Sequence, residues 1–248
     1  MVASPPDELT VRSGRVKHAR RLATRAFRAD QREFLAEGPQ AVREALATDH
    51  ATVEVFATVD ATDQHVDLVE AARRADVPWH VVTDDVVEAV ADTVQPQGVV
   101  ARCTMLDRPL AALLDREPSF VVVCADIRDP GNAGAVIRCA DAAGADGVVF
   151  VGDSVDPYNP KSVRATVGSL FHVPIAIERD VVTSLAALQA AGLTVALPQM
   201  DVHLHGLRAR KAETRNGPAG EPPVPPGESE WATYEAPHRN TPVSTSEQ

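Results

Sequence analysis

The apolar positions of this chain fall into two rhythms that alternate for most of its length. Residues 15 to 29 read as a basic helix. In "QREFLAEGPQAVREALAT", Phe34 and Leu35 precede a Gly-Pro break, and Pro39 suits a first helical turn. Ala41, Val42, Ala45 and Leu46 then recur at helical spacing. "TVEVFATVD", residues 52 to 60, is rich in β-branched residues and predicts a strand. "DQHVDLVEAARRADV" predicts an amphipathic helix and "WHVVTDD" a strand. Thr83 or Asp84 then caps "DVVEAVADTV", and "QGVVARCTM" closes the set as another strand. The alternation predicts a small α/β domain over residues 15–105, behind a loose N-terminus at 1–14. Residues 106–118 read as a linker or a crossing helix.

A second α/β domain is predicted over residues 119–204. The continuous apolar run "FVVVCADI" fits a strand buried on both faces, as in a parallel sheet. A turn, the helix "AGAVIRCADAAG" and the strand "GVVFVG" complete one βαβ unit. "NPKSVRATVGSLFHVPIAIERD" adds a helix and a strand, and "VTSLAALQAAGLTVAL" adds another pair. Beyond Pro198 the apolar period stops, and seven prolines fall between Pro218 and Gln248. Such a stretch buries too little apolar surface to offset chain entropy, so residues 205–248 are expected to be a disordered tail.

Composition narrows the function. The 248 residues are 44% hydrophobic but only 4% aromatic, so Val, Ala and Leu must fill the cores. A net charge of −11 argues against binding polyanions over the whole surface. The distribution qualifies this, because Leu9 to Ala29 holds seven basic residues and no acid. Cys103, Cys124 and Cys139 form no C-x-x-C pair, so zinc and redox motifs are unsupported, and Cys124 and Cys139 read as small buried hydrophobes. No stretch approaches the ~20 apolar residues of a membrane span, and the N-terminus lacks a signal-peptide core. The protein is expected in the cytoplasm, with no membrane partner and no metal.

The stretch "DIRDPGNAGAVIRCADAAGADGVVF", residues 126 to 150, carries the most chemistry. Pro130-Gly131-Asn132 fits a tight turn where a strand meets a helix, a corner that often carries function in a parallel sheet. Arg138 follows Asn132 by six residues, and its side chain can lean back toward the helix start. A guanidinium there can engage a phosphate or hydroxyl in the crevice; an ordinary surface ion pair would look the same in sequence. Lys161 and Arg164, three apart on one helix, share a face and either clamp an RNA phosphate or stand as a solvated pair.

"DPGNAGAVIRCADAAGADGVVF" followed by "VDPYNPKSVRATVGSLFHVPI" closely resembles the SpoU (TrmH-like) branch of the SPOUT RNA methyltransferases. Upstream, "REFLAEGPQAVREAL" and "VTDDVVEAVADTVQPQGVVA" look like the substrate-binding domain that precedes the catalytic domain in that branch. The resemblance runs from residue 15 to about 197. It implies an α/β-knot catalytic domain that transfers a methyl group from S-adenosylmethionine to a ribose 2′-hydroxyl in ribosomal or transfer RNA, the tandem-domain layout leaning toward ribosomal, and a homodimer. It assigns Asn132 and Arg138 to the first catalytic motif, and Asn159, Lys161, Arg164 and Ser169 match the second. Arg138 is expected to stabilise the developing alkoxide electrostatically, because a free Arg is nearly always protonated. RNA is expected to meet Arg15, Lys17, Arg21, Arg25, Arg32, Lys161 and Arg164, with Phe27 and Phe34 as candidate stacking or core residues.

Past residue 197 the pattern departs from the branch. The family's G-x-E-x-x-G loop and S-L-N segment, which form the knot and hold the methyl donor, have no counterpart here. "NGPAGEPP" has prolines that forbid the strand that should come before it. The knot is therefore expected to be incomplete, as a shifted frame or a truncation would leave it. Two other readings stand beside catalysis: an RNA-binding remnant without a cofactor site, and an unrelated doubly wound nucleotide-binding enzyme.

Overall fold

A computed structural model describes residues 9–194. The elements run α1 (Gly14–Arg21), α2 (Arg25–Gln31), β1 (Glu33–Glu37), α3 (Pro39–Ala47), β2 (Thr52–Ala57), α4 (Val59–Gln64), α5 (Val66–Arg74), β3 (Trp79–Val81), α6 (Asp84–Val90) and β4 (Val99–Thr104). Then come α7 (Leu110–Leu114), β5 (Val121–Ala125), α8 (Pro130–Ala142), β6 (Gly147–Val151), α9 (Pro160–Thr166), a 3₁₀ turn at Ser169–Phe171, β7 (Ile175–Glu178) and α10 (Val181–Ala190). The fold is α/β, as the alternating rhythm predicts. The expected tail at 205–248, the strand expected after α10, the knot and residues 1–8 lie outside the described residues.

Two sheets organise these elements. The first has the order β1-β4-β2-β3, with β4 antiparallel to both neighbours and β3 parallel to β2. Side chains alternate across it as the pleat demands. Phe34, Val55, Val99 and Ala101 meet Val42 and Ala45 of α3 and Leu68 of α5, while Leu35, Phe56 and Val100 meet Val16 of α1 and Val86 of α6. Strand β1 is the element that the sequence pattern does not announce. Only Phe34, Leu35 and Ala36 are buried in it, between two glutamates, and the left-handed Arg32 (φ +55°) turns the chain into it.

The second sheet is the expected parallel one, in the order β5-β6-β7. Strand β6 is buried at every position because it is covered on both sides. Val148 and Phe150 join Ile137 of α8 and Val163 of α9, while Val149 and Val151 join Leu113 of α7 and Leu188 of α10. That double covering explains why its sequence is continuously apolar rather than alternating.

A shared core and a buried ion pair help join the two sheets. The Phe34 ring on β1 lies 4.9 Å from Tyr158 and 5.9 Å from Phe171, so one hydrophobic cluster spans both. Beside it Arg28 is buried, although it belongs to the stretch that reads as a basic helix. Its Nε and Nη2 donate to Asp156 Oδ2 at 3.0 and 2.6 Å, and Nη1 donates to the carbonyls of Leu22 and Ala23 at 2.8 Å each. Those bonds end the exposed arm at Arg25 and make Arg28 a crosslink between the sheets. A further clasp lies on the surface, where His172 bonds Asp141 of α8 at 2.9 Å and Glu44 of α3 at 3.1 Å.

One correction concerns a single side chain. Cys139 is exposed, not buried, because its turn of α8 faces away from β6. Cys103 and Cys124 are buried, and burial pushes their thiols up to about 12 and about 11, which keeps them inert. Phe34 is fully buried and cannot stack on a base.

Two outcomes are expected. Asp156→Asn leaves the Arg28 charge buried without its partner, so it should lower unfolding free energy by about 3 kcal/mol in urea titrations. The His172 imidazole is raised above its ordinary 6.5 by the Asp141 hydrogen bond; partial burial opposes this and Glu44 adds to it. A raised histidine stabilises fully below its unfolded pKa and loses that contribution as pH climbs through the folded value. The thermal midpoint of the wild type should therefore fall more between pH 6 and 8 than that of His172→Gln.

Candidate RNA-modifying corner and its cations

The corner at the carboxyl end of β5 is assembled by helix caps. Asp129 caps α8, its Oδ1 accepting the Asn132 N–H at 2.9 Å, with Pro130 in the first turn where no donor is lost. Asn159 caps α9 in the same way, its Oδ1 accepting the Lys161 N–H at 3.0 Å, again with Pro at the first position. The two matched motifs are thus two capped helix starts. Lys161 Nζ reaches Asp129 Oδ2 at 3.3 Å and ties one start to the other. The Asn132 N–H bond, followed by Lys161, holds the Asp129 carboxyl below the usual carboxylate range.

Glycine sets how closely the two helices approach. A Cβ on Gly134 would collide with the Ser162 carbonyl and the Ala165 side chain. Asp156 fixes the segment leading into α9. Its Oδ1 accepts the Tyr158 N–H at 2.9 Å while Oδ2 holds Arg28. Tyr158 in turn accepts the Leu106 N–H at 2.9 Å. Neither Arg28 nor Asp156 is foreseen as a site-building residue, since a buried arginine and a solvated one have the same sequence signature.

On this frame Asn132 and Arg138 both stand exposed on α8, and neither side chain forms a hydrogen bond or ion pair among the described residues. Lys161 and Arg164 do not converge on one target. Lys161 turns to Asp129, while Arg164 meets Glu37 of β1 at 3.3 Å and Asp92 at 3.2 Å. Arg15 meets the buried Glu54 at 2.8 Å, and Arg32 meets Asp107 at 2.8 Å. Arg21 lies over the half-buried Phe27 ring, 3.9 Å from its centroid. Lys17 and Arg25 are exposed and make no ion pair among the described residues.

Glu54 explains how a basic helix sits on an acidic protein. A bulge between Thr52 and Glu54 sets Glu54 opposite Arg102, which donates at 2.7 Å, with His80 at 3.0 Å. Burial alone would push the Glu54 carboxyl up, but Arg15, Arg102 and His80 together hold it low. Arg102 also donates to Glu33 at 2.6 Å, and Glu33 meets His18 of α1 at 2.7 Å. Helix α1 is therefore pinned by Arg15 and His18, with Lys17 and Arg20 on its exposed side.

Asp126 Oδ1 lies 2.6 Å from where a Gly152 Cβ would be and accepts the Asp153 N–H at 2.8 Å, so the turns after β5 and β6 close on each other. The segment that the resemblance assigns to the methyl donor lies outside the described residues.

A family model described as the SpoU rRNA Methylase family matches residues 119–214, and one described as an MRM3-like substrate binding domain matches residues 14–101. The 23S rRNA (guanosine(2553)-2'-O)-methyltransferase RlmP of Bacillus subtilis is 32% identical over 186 residues, 75% of this chain and 70% of that protein. The mitochondrial rRNA methyltransferase 3A of Danio rerio is 30% identical over 159 residues, 61% of this chain but 35% of the relative. Among solved structures, an AdoMet-bound rRNA methyltransferase from Sinorhizobium meliloti aligns with a TM-score of 0.64 and 30% identity, covering 73% of this chain and 67% of that one.

Gly134→Ala should force α8 and α9 apart and lower unfolding free energy by about 1–3 kcal/mol in denaturant titrations. Ala135→Gly, on the same helix but only partly buried, should cost about 1 kcal/mol or less.

Proposed function

We infer that this chain, which belongs to the SpoU rRNA methylase family, is an S-adenosylmethionine-dependent methyltransferase acting on a ribose 2′-hydroxyl of RNA. The observation that carries the residue assignment is Arg138. It is exposed on a helix locked to its neighbour and makes no ion pair among the described residues, whereas Lys161 and Arg164 beside it do. A 2′-hydroxyl is a poor nucleophile. A guanidinium beside it lowers the free energy of the developing alkoxide. Asn132, at the capped start of α8, positions the ribose or its phosphate. Arg138 is given an electrostatic role rather than that of a base.

RNA selection belongs to the first sheet and its helices. The exposed Lys17, Arg20, Arg21 and Arg25 meet the backbone as a localised basic patch on an acidic protein. Arg15 and Arg32 add charge to that patch while held by Glu54 and Asp107. Residues 15–105 thus select the RNA and residues 119–204 carry the chemistry. The substrate is ribosomal RNA, met in the cytoplasm, and the working unit is a homodimer. The names of the relatives support the first of these, and the family resemblance supports the last.

The test is transfer of a radiolabelled methyl group from S-adenosylmethionine to unmodified ribosomal RNA, with the product nucleoside identified by mass spectrometry. A 2′-O-methylated nucleoside is expected. Arg138→Ala should reduce the rate about a hundredfold or more, as loss of a transition-state donor does, with an unchanged thermal midpoint. An Arg138→Ala enzyme with full activity removes the role assigned to that residue. Calorimetry that detects no S-adenosylmethionine binding at millimolar ligand turns the reading to an RNA-binding protein without catalysis.

A further inference from the structure

A cleft of about 230 Å³ lies where β1, the segment before β4 and the end of α9 meet, and the corner described above does not use it. Its wall includes Gly38, Gln95, Gln97, Val99, Arg164 and Val167. Three features set it apart. Val167 is a β-branched residue held in the left-handed region at φ +54°, half exposed on the cleft wall. Such a conformation is strained, and strain of this kind concentrates at binding and catalytic sites. Second, Gly38 at φ +89° leaves room for Gln97, whose Oε1 lies 2.8 Å from where a Gly38 Cβ would stand. Third, the side chains of Gln95 and Gln97 make no hydrogen bond among the described residues, so each offers a donor and an acceptor side by side.

Charge decides the class of ligand. Arg164 is the cation of the cleft, and it is already shared between Glu37 and Asp92. Glu37 is almost wholly buried and also accepts the Asp92 N–H at 2.8 Å and the Thr93 hydroxyl at 3.3 Å. Two carboxylates against one guanidinium disfavour a phosphate. Amide edges above apolar walls suit instead a neutral planar ring with alternating donors and acceptors, which is the edge of an unstacked base. Position agrees. Lys161 at one end of α9 touches the Asp129 cap of the catalytic corner, and Val167 closes the other end, about 9 Å of helix rise away.

We propose that this cleft is a base-reading subsite, holding one unpaired base of the RNA near the nucleotide presented to Arg138. The proposal rests on the reading of the chain as an RNA methyltransferase. Binding is read by fluorescence anisotropy on the full chain, with fluorescein-labelled single-stranded RNAs of about twelve nucleotides. The probes are oligo-A, oligo-C, oligo-U and an abasic ribose-phosphate strand of equal length. The wild type should hold its preferred base-bearing strand about tenfold more tightly than the abasic one. Gln97→Leu should erase that preference while leaving the salt dependence of binding unchanged, because phosphate contacts are untouched. Val167→Gly should also erase it, and should raise the thermal midpoint by relieving the strain. A variant that is more stable yet base-blind cannot be explained by misfolding. Retained preference in both variants, or equal wild-type binding of abasic and base-bearing strands, overturns the subsite while leaving the methyltransferase reading intact. Wild-type protein that binds no strand and methylates no RNA overturns both.

Discussion

The buried contact between Arg28 and Asp156 is the constraint on which the rest of the molecule turns. A guanidinium taken out of water is tolerated only when its donors are met, and here three bonds to backbone and carboxylate oxygens are supplemented by a fourth from the same group. Two of the four run to a carboxylate in the segment between β6 and α9. Asp156 in turn holds the backbone that leads into α9, and α9 sets the start of α8 through Lys161. The exposed Arg138 therefore stands on a helix whose position is referred, bond by bond, to the basic N-terminal segment. Apolar packing of Phe34, Tyr158 and Phe171 supplies the bulk of the adhesion, and the ion pair supplies its register.

Much of this was legible in the chain, for reasons that can be named. Strand β6 shows itself because a strand covered on both faces has no polar position to interrupt it. The starts of α8 and α9 show themselves because Asp-Pro and Asn-Pro place a capping oxygen before a residue that needs no donor. The roles proposed for Asn132 and Arg138 rest on that corner together with the family likeness. What stayed hidden was partnership across long separations. Arg28 reads as one more surface cation, and nothing local says that Asp156 waits for it. Arg164 reads as a companion of Lys161, yet a helix of seven residues sends one to the Asp129 cap of α8 and the other to Glu37 of β1. Strand β1 is too short to declare a period, and its burial is decided by β4 and by Tyr158. Cys139 illustrates the reverse error, an apolar-looking position that faces out because α8 is covered along only one stripe.

The charge layout follows the same logic. A protein with a net charge of −11 can present a basic helix only if that helix is fastened without consuming its outward cations. Arg15 and His18 do the fastening, through Glu54 and Glu33, and the remaining cations face solvent. The surrounding acidity confines attraction for a polyanion to one face.

The sequence distance across the crosslink has a consequence for biosynthesis. Arg28 and Asp156 are 128 residues apart, so a ribosome that has released the whole first sheet has still not made the carboxylate that this guanidinium needs. Until then the nascent segment from Leu22 to Arg28 must keep the charge in water, and the face of β1 that will receive Tyr158 stays open. The early half of the polypeptide therefore leaves the ribosome before the carboxylate that satisfies this guanidinium exists.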